Sequence, residues 1–247
     1  MKSLLLTVIL LISPIGLMMV SAKADYTLYS YDLSTTTADG SIDPSEYATY
    51  FDLSVGGPAK SITVYWGHNE SHFAVGIEGE FGGWVGFGMN TGGNGMTGAD
   101  MIISSVDNAG VHTGDYHATG HSDPLIDDDQ MPISIGGKES NGKTTIEFII
   151  PMSSSDTAGN DHNWVNGGSY NFFLAYHEFS DSLTYHSGHS DVHSVDIAGP
   201  SVALPENRNI SGGGDSGSKS GALFGALLVI GFIGFIVILV KYNAKLT

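Results

Sequence analysis

Residues 61–66 read Ser-Ile-Thr-Val-Tyr-Trp, so that Ile62, Val64 and Trp66 occupy every second position. Successive side chains of a β-strand point to opposite faces, and this spacing therefore places three apolar side chains on one face of a sheet. Residues 144–149, Thr-Thr-Ile-Glu-Phe-Ile, repeat the pattern. Both stretches predict half-buried strands.

Similar short runs recur along the middle of the chain, and no segment there sustains a helical periodicity of 3.6 residues. Clusters of Gly, Asn, Asp and Ser separate the runs, and the chain contains 34 glycines in 247 residues. Short strands divided by turn signals are typical of an antiparallel β-sandwich. The predicted strands cover 47–55, 61–66, 73–80, 83–89, 101–107, 144–150, 170–176 and 192–197. We expect one all-β domain.

The two ends of the chain predict export and anchoring. Residues 1–24 combine one lysine, an apolar run and an Ala-Lys-Ala ending, which is typical of a cleaved signal peptide; an uncleaved N-terminal anchor is the alternative. Residues 221–240 contain no charge and are long enough for a transmembrane helix. The interpretation is a single-pass cell-membrane protein whose bulk is extracytoplasmic. It consists of a signal peptide (1–24), a β-sandwich ectodomain (25–205), a Gly/Ser linker (206–220), the helix (221–240) and a cytoplasmic tail (241–247).

Composition excludes several classes of function. The 26 acidic residues outnumber the nine basic ones and give a net charge of -17, which argues against nucleic acid as a partner. The chain has no cysteine, so disulfides, thiolate-bound metal and cysteine nucleophiles are excluded. No hydrolase motif and no assignable catalytic triad occur, so we expect no catalytic residue of its own.

Two clusters are candidate metal sites, each with a simpler interpretation. His186, His189 and His193 offer imidazoles to copper, zinc or nickel, although exposed loop histidines explain the spacing equally well. The group Asp123, Asp127, Asp128 and Asp129 offers oxygen ligands for calcium, but a solvated turn is the favoured interpretation because the spacing of an EF-hand is absent.

The methionines near residue 96 are more informative. Met89, Met96 and Met101 fall in a glycine-rich turn and its flanking runs. A methionine within a strand is usually core filler, whereas one in a glycine-flanked turn buries little. A thioether there, together with a later histidine, would suit a Met/His-ligated haem iron, which serves electron transfer.

At these residues the chain resembles the DOMON family, the β-sandwich named for dopamine β-monooxygenase and similar to the cytochrome domain of cellobiose dehydrogenase. The matching segments are Trp-Val-Gly-Phe-Gly-Met (84–89), Gly-Met-Thr-Gly-Ala-Asp-Met-Ile-Ile (95–103), Asp-Tyr (115–116), Thr-Thr-Ile-Glu-Phe (144–148), Tyr-Asn-Phe-Phe-Leu-Ala-Tyr (170–176) and Leu-Thr-Tyr-His (183–186). The resemblance implies an immunoglobulin-like sandwich that covers about residues 39–198.

The resemblance also implies a cofactor and its ligands. Haem-binding members hold b-type haem between a methionine of the Gly-Met turn and a histidine near the final strands, which correspond to Met96 and His186. The alternatives are Met89 or Met101 for the thioether and His189 or His193 for the imidazole. The residues expected around the porphyrin are Trp84, Phe87, Met101, Phe173 and Tyr185.

The function implied is a membrane-anchored cytochrome domain that relays electrons to or from a redox partner protein or membrane reductase. Two arginines common in the family are absent, since Ile149-Ile150-Pro151 and Gly188-His189-Ser190 stand at their positions. Haem propionates would then lack those charge partners. The alternatives are a haem-free module for carbohydrate or another surface ligand, and a histidine-rich metal-binding protein.

Overall fold

The computed structural model describes residues 24–93, 95–131 and 133–200. They form thirteen strands and one 3₁₀ turn, Pro44–Glu46. The strands in chain order are β1 (Tyr26–Ser30), β2 (Thr49–Ser54), β3 (Ser61–His68), β4 (His72–Gly79), β5 (Val85–Asn90), β6 (Asp100–Asp107), β7 (Gly110–His117), β8 (Leu125–Ile126), β9 (Ser134–Ser140), β10 (Lys143–Pro151), β11 (Ser169–Tyr176), β12 (Gly188–His189) and β13 (His193–Pro200).

The predicted all-β class is confirmed, and each of the eight predicted runs overlaps a strand. The sequence patterns missed β1, β7, β8, β9 and β12. β7 and β9 are rich in glycine and polar residues, with exposed or half-exposed positions at most of their length. They owe their extended form to pairing with β6 and β10 rather than to an apolar pattern of their own.

The strands form one curled sheet in the order β8-β7-β6-β5-β11-β13-β1-β3-β4-β10-β9, with β12 beside β11 and β2 beside β3. The two ends of this path meet, because Gly137 of β9 lies against the side chains of Val106 and Val111 in β6 and β7. The sheet therefore closes around a core like a sandwich. The predicted antiparallel pairing is wrong for one strand, since β1 pairs in parallel with both β13 and β3.

Aromatic side chains fill the space between the two halves of the curled sheet. The indole of Trp66 lies 5.2 Å from the Phe87 ring and 5.8 Å from the Phe172 ring, and Phe87 lies 5.8 Å from Phe148. Edge-on and tilted contacts of this kind are the favoured geometry of aromatic pairs. The predicted inward face of β3 is confirmed, because Ile62, Val64 and Trp66 are all buried.

No helix among the described residues is long and apolar enough to cross a membrane. The predicted linker (206–220), membrane segment (221–240) and tail (241–247) lie outside the described residues, as does the signal peptide (1–24) apart from its last residue.

Candidate functional site

A second apolar cluster lies on the face of the sheet turned away from the main core. It contains Trp84, Ala99, Met101, Ile103, Ala118 and Phe173, with Met96, Tyr116, Ala175, Leu183 and Val192 packed around it. The outer face of a sandwich is ordinarily polar and solvated. An apolar outer face therefore marks a binding surface.

Strand register explains which side chains reach this outer face. Phe173 of β11 is opposite Gly88 of β5, which is opposite Met101 of β6. One position along, Leu174, Phe87 and Ile102 are aligned in the same way and face the main core. Because side chains alternate along a strand, adjacent aromatics fall on opposite faces.

The outer cluster forms the wall of a cleft. The cleft has a volume of about 120 Å³ beside Trp84 and Met101, and it continues into a neighbouring space of about 410 Å³. Pockets of several hundred cubic ångströms with mainly apolar walls are typical of small-molecule and cofactor sites. The residues common to both spaces are Met96, His121, Phe173, Ala175, Tyr185 and His186.

Met96 lies in the turn between β5 and β6 and is half-buried. Gly95 and Gly98 on either side have φ of 84° and 73°, values that suit glycine. The Met96 carbonyl accepts a hydrogen bond from the Ala99 N–H at 3.0 Å, and the Asn90 side-chain amide donates to the Gly95 carbonyl at 2.6 Å. These bonds hold the methionine at the mouth of the cleft.

His186 approaches the same cleft from the segment before β12. Its ring stacks on Tyr185 with centroids 4.4 Å apart and lies 5.0 Å from the ring of His189. Ser187, the next residue, is fixed because its N–H donates to the Tyr176 carbonyl at 2.7 Å. Burial, and then the nearby His189, lower the pKa of His186. The neutral imidazole that results is the form that binds metals.

The structure brings together most of the predicted site residues. Those that line the cleft are Trp84, Met96, Met101, Phe173, Tyr185 and His186, and His189 lines the adjoining space. Two others do not face it. Phe87 and Met89 are buried in the main core, 3% exposed each, because their register positions point inward. This placement disagrees with the prediction that Phe87 forms a pocket wall. It also disagrees with the prediction that Met89 is an alternative ligand.

The predicted histidine trio is not brought together. His186 and His189 are neighbours, but the ring of His193 lies 5.6 Å from both Tyr26 and Phe172, on the core side of β13. Its Nδ1 is 4.0 Å from a carboxylate oxygen of Asp25. His193 therefore packs beside the start of β1 and does not line the cleft.

His121 is a cleft residue that the sequence patterns did not single out. It lines both spaces, in a loop that also contributes Ser122, Asp123 and Pro124. The sequence patterns marked this loop only through Asp123, as part of an acidic cluster, and not through its histidine. The described part of the chain places no lysine or arginine in the cleft lining.

The residues of the cleft fit a haem group by their chemistry. A thioether and a neutral imidazole border one cleft, and this donor pair suits a six-coordinate haem iron. The walls of Trp84, Met101 and Phe173 are buried and apolar, which suits a porphyrin face. The indole N–H of Trp84 is buried and has no hydrogen-bond partner in the part of the chain that the structure describes, so it is an unused donor at this wall.

Comparison with known proteins gives one family and several similar folds. Residues 58–177 match the family model of the DOMON domain. The cytochrome b domain of pyranose dehydrogenase from Coprinopsis cinerea is 20% identical, with 65% of this chain and 93% of that chain covered and a TM-score of 0.44. The cytochrome domain of Myriococcum thermophilum cellobiose dehydrogenase is 16% identical, with 59% and 82% covered and a TM-score of 0.41. A family 9 carbohydrate-binding module from Caldicellulosiruptor kristjanssonii, in complex with cellotriose, is 10% identical, with 74% and 98% covered and a TM-score of 0.45.

Proposed function

Residues 58–177 of this chain belong to the DOMON domain family, and on that premise we propose that the protein binds b-type haem and relays single electrons to or from a partner. Met96 and His186 would hold the haem iron. The observation that carries the proposal is that a turn methionine and a half-buried histidine, 90 residues apart in the chain, border the same apolar cleft outside the main core.

Bound haem supplies a one-electron couple, and a Met/His ligand pair raises its reduction potential and leaves no open position for oxygen. The chain's own residues hold and shield it. Phe173 and Met101 stand side by side across Gly88 and exclude water from one wall. Tyr185 is 83% exposed, so the edge of the cleft beside His186 is open to a partner.

Because the described lining of the cleft contains no lysine or arginine, histidine is the side chain proposed to contact the haem propionates. His121 lines both parts of the cleft as a hydrogen-bonding side chain, and the Trp84 indole N–H offers an uncharged donor. Both replace the arginines that the family usually supplies. Such contacts are weaker than bidentate arginine pairs, and we therefore expect haem to be retained less firmly than in family members that keep those arginines.

The proposed location is extracytoplasmic, with the β domain exported by residues 1–24 and anchored by residues 221–240. The proposed membrane segment contains no histidine. It therefore offers no imidazole ligand for a second haem, and electron flow across the bilayer requires a partner protein such as a membrane reductase.

The test is a haemin titration of the full chain followed by visible spectroscopy of the oxidised and reduced forms. We expect a six-coordinate low-spin spectrum in the wild type. M96A and H186A each convert it to a high-spin spectrum or lose haem, whereas the matched variants M101L and H189Q keep the low-spin spectrum. Wild-type protein that takes up no haem, or a spectrum unchanged in M96A and H186A, refutes the assignment.

A haem-free carbohydrate module is the second candidate, and one observation favours it. Tyr185 and Phe179 are 83% and 76% exposed, and the Tyr185 ring stacks on His186 at the cleft edge. Exposed aromatic rings of this kind serve as stacking platforms for ligands. Affinity electrophoresis in soluble glucan gels tests it: retardation of the wild type that disappears in Y185A supports this module, and no retardation excludes it for that polysaccharide.

A further inference from the structure

Five aspartates from separate parts of the chain meet on the side of the sheet away from the cleft. Asp100 begins β6, Asp115 lies in β7, Asp127 follows β8, and Asp156 and Asp161 lie in the loop between β10 and β11. Carboxylate oxygens of Asp100, Asp115 and Asp161 all lie within 4.8 Å of one another, and so do those of Asp127, Asp156 and Asp161. Asp161 belongs to both groups.

These separations match the coordination sphere of one cation. Calcium binds oxygen ligands at about 2.4 Å, so that ligands on opposite sides of the ion lie about 4.8 Å apart. Three carboxylates without a cation at this spacing repel one another strongly where water is excluded. The geometry is thus suited to an ion that stands between them.

Asp115 supplies an independent sign of a missing partner. The residue is 0% exposed. Its Oδ2 accepts a hydrogen bond from the Met131 N–H at 2.9 Å, but Oδ1 is buried and has no hydrogen-bond partner among the described residues. A buried carboxylate oxygen without a donor or a countercharge is costly, and metal coordination is one of the few arrangements that satisfies it.

Few positive charges compensate the cluster. Asp100 is 7% exposed, and within the described ranges its carboxylate accepts one side-chain hydrogen bond, from the His162 N–H at 3.2 Å. Among the ion pairs of the described residues, only His117 reaches the cluster, with Nδ1 3.2 Å from Asp127 Oδ2. The cluster is therefore unfavourable as it stands.

We propose that Asp100, Asp115 and Asp161 bind a calcium ion, with Asp127 and Asp156 completing the acidic wall around it. Calcium fits better than magnesium because the ligands come from three separate segments and are all carboxylates, whereas magnesium keeps most of its waters and a strict octahedron. The predicted calcium group at 123–129 supplies only Asp127, because Asp123, Asp128 and Asp129 are exposed.

The ion joins the loop between β10 and β11 to the β6–β7 edge. That loop also contacts the methionine turn, since His162 Nε2 lies 2.8 Å from the Gly98 carbonyl oxygen. Calcium at this position therefore braces the turn that carries Met96 from the opposite side of the sheet. The site itself does not depend on haem.

The test uses the full chain, stripped with EDTA and titrated with calcium chloride by calorimetry and by thermal unfolding. We expect saturable binding and a Tm that rises with calcium concentration, because a ligand that binds only the folded state stabilises it. D115N and D161N reduce calcium affinity at least tenfold. The matched control D128N, which changes an exposed neighbour, leaves it unchanged.

The stability of the calcium-free variants separates coordination from a merely structural role. Because D115N removes a repelling charge, its calcium-free Tm is expected to equal or exceed that of the wild type, while its calcium-dependent rise disappears. If D115N fails to fold, the calcium affinity of D161N, a substitution at a half-buried position, tests the proposal. No saturable calcium binding by the wild type, calcium binding unchanged in D161N, or an equal response to magnesium chloride overturns the proposal.

Discussion

The ring of Phe173 lies directly against the backbone of Gly88 on the neighbouring strand. A Cβ atom at residue 88 would stand 2.5 Å from Phe173 Cζ, and the two residues are register partners in β11 and β5. Glycine at this position therefore sets how deeply the phenyl ring sits in the cleft wall. Gly86 lies two residues before Gly88 and on the same face of β5. It has room for a side-chain methyl group, since a Cβ there would be 3.4 Å from Ile103 Cγ1.

This relationship predicts that G88A and G86A differ. In G88A the methyl group displaces Phe173 toward the cleft, and overpacking of this kind typically costs about 1–3 kcal/mol. We expect a lower urea midpoint and at least tenfold weaker haem binding. G86A, the matched control, changes the midpoint little. A urea midpoint of G88A as little changed as that of G86A would show that the Phe173 ring moves without a cost in stability.

Met89 and Met96 lie seven positions apart in the chain, and their replacement by alanine is predicted to affect stability and haem binding in opposite ways. Met89 is 3% exposed in the main core, so M89A leaves a cavity and lowers the free energy of unfolding by about 2–5 kcal/mol. Met96 is half-buried in a turn, so M96A costs much less stability but removes the proposed thioether ligand. Urea unfolding and the haem spectrum of each variant check this; a spectrum altered by M89A at full haem loading would contradict it.

The alternation of residues 61–66 and the run 170–176 was sufficient to predict strands, but not to assign every aromatic to a face. Phe172 and Phe173 are adjacent and equally apolar, and only the register of β11 with β5 places the first in the core and the second in the cleft. The same register removes Phe87 from the cleft. Register depends on pairing between distant segments, which a local pattern does not contain.

Long-range juxtaposition also explains the other differences. The parallel pair of β1 with β13 joins residues about 170 positions apart, and nothing local in residues 26–30 indicates it. The aspartate cluster combines Asp100, Asp115 and Asp161, which no spacing rule connects. A family resemblance, in contrast, carries long-range information that periodicity lacks, and it pairs Met96 with His186, both of which line the cleft.

The buried carboxyl group of Glu147 gives a pH-dependent prediction. Its Oε2 accepts hydrogen bonds from the Gly40 and Ser41 N–H groups at 2.7 and 2.9 Å, and Oε1 accepts from Tyr47 Oη at 2.7 Å. Burial raises the pKa of Glu147 above its usual value of 4.5, although these three bonds lower it in part. The folded state then holds a proton that the unfolded state releases, so the contribution of Glu147 to stability falls as pH rises from 4.5 through the raised folded pKa.

E147Q is the matched variant, because its amide mimics the protonated acid: the oxygen accepts from Gly40 and Ser41 while the NH₂ group donates to Tyr47 Oη. We expect the difference in unfolding free energy between E147Q and the wild type to shift in favour of E147Q as pH rises above 4.5, and then to level off. Urea unfolding at pH 4, 5, 6 and 7 measures it. A difference that stays constant over this range would show that the pKa of Glu147 is not raised by folding.

The hydroxyl group of Tyr176 ties the 56–59 loop to β11. The residue is 0% exposed, and its Oη accepts a hydrogen bond from the Ala59 N–H at 2.8 Å and donates one to the Gly56 carbonyl oxygen at 3.0 Å. Y176F keeps the ring and leaves these two backbone groups without their partner, which typically costs about 1–3 kcal/mol. The expected result is a lower urea midpoint with an unchanged m-value, whereas Y29F, at a partly exposed tyrosine of β1, changes neither.

The same hydroxyl group also affects the histidine side of the cleft. The Gly56 N–H donates to the His189 carbonyl at 2.9 Å, and the Ser187 N–H donates to the Tyr176 carbonyl at 2.7 Å, so this loop and β11 together fix the segment that begins at His186. Y176F is therefore expected to weaken haem binding in addition to lowering stability, and a haemin titration well below the unfolding midpoint measures that effect. Reduced stability with wild-type haem affinity would show that His186 is positioned by Ser187 and β12 alone.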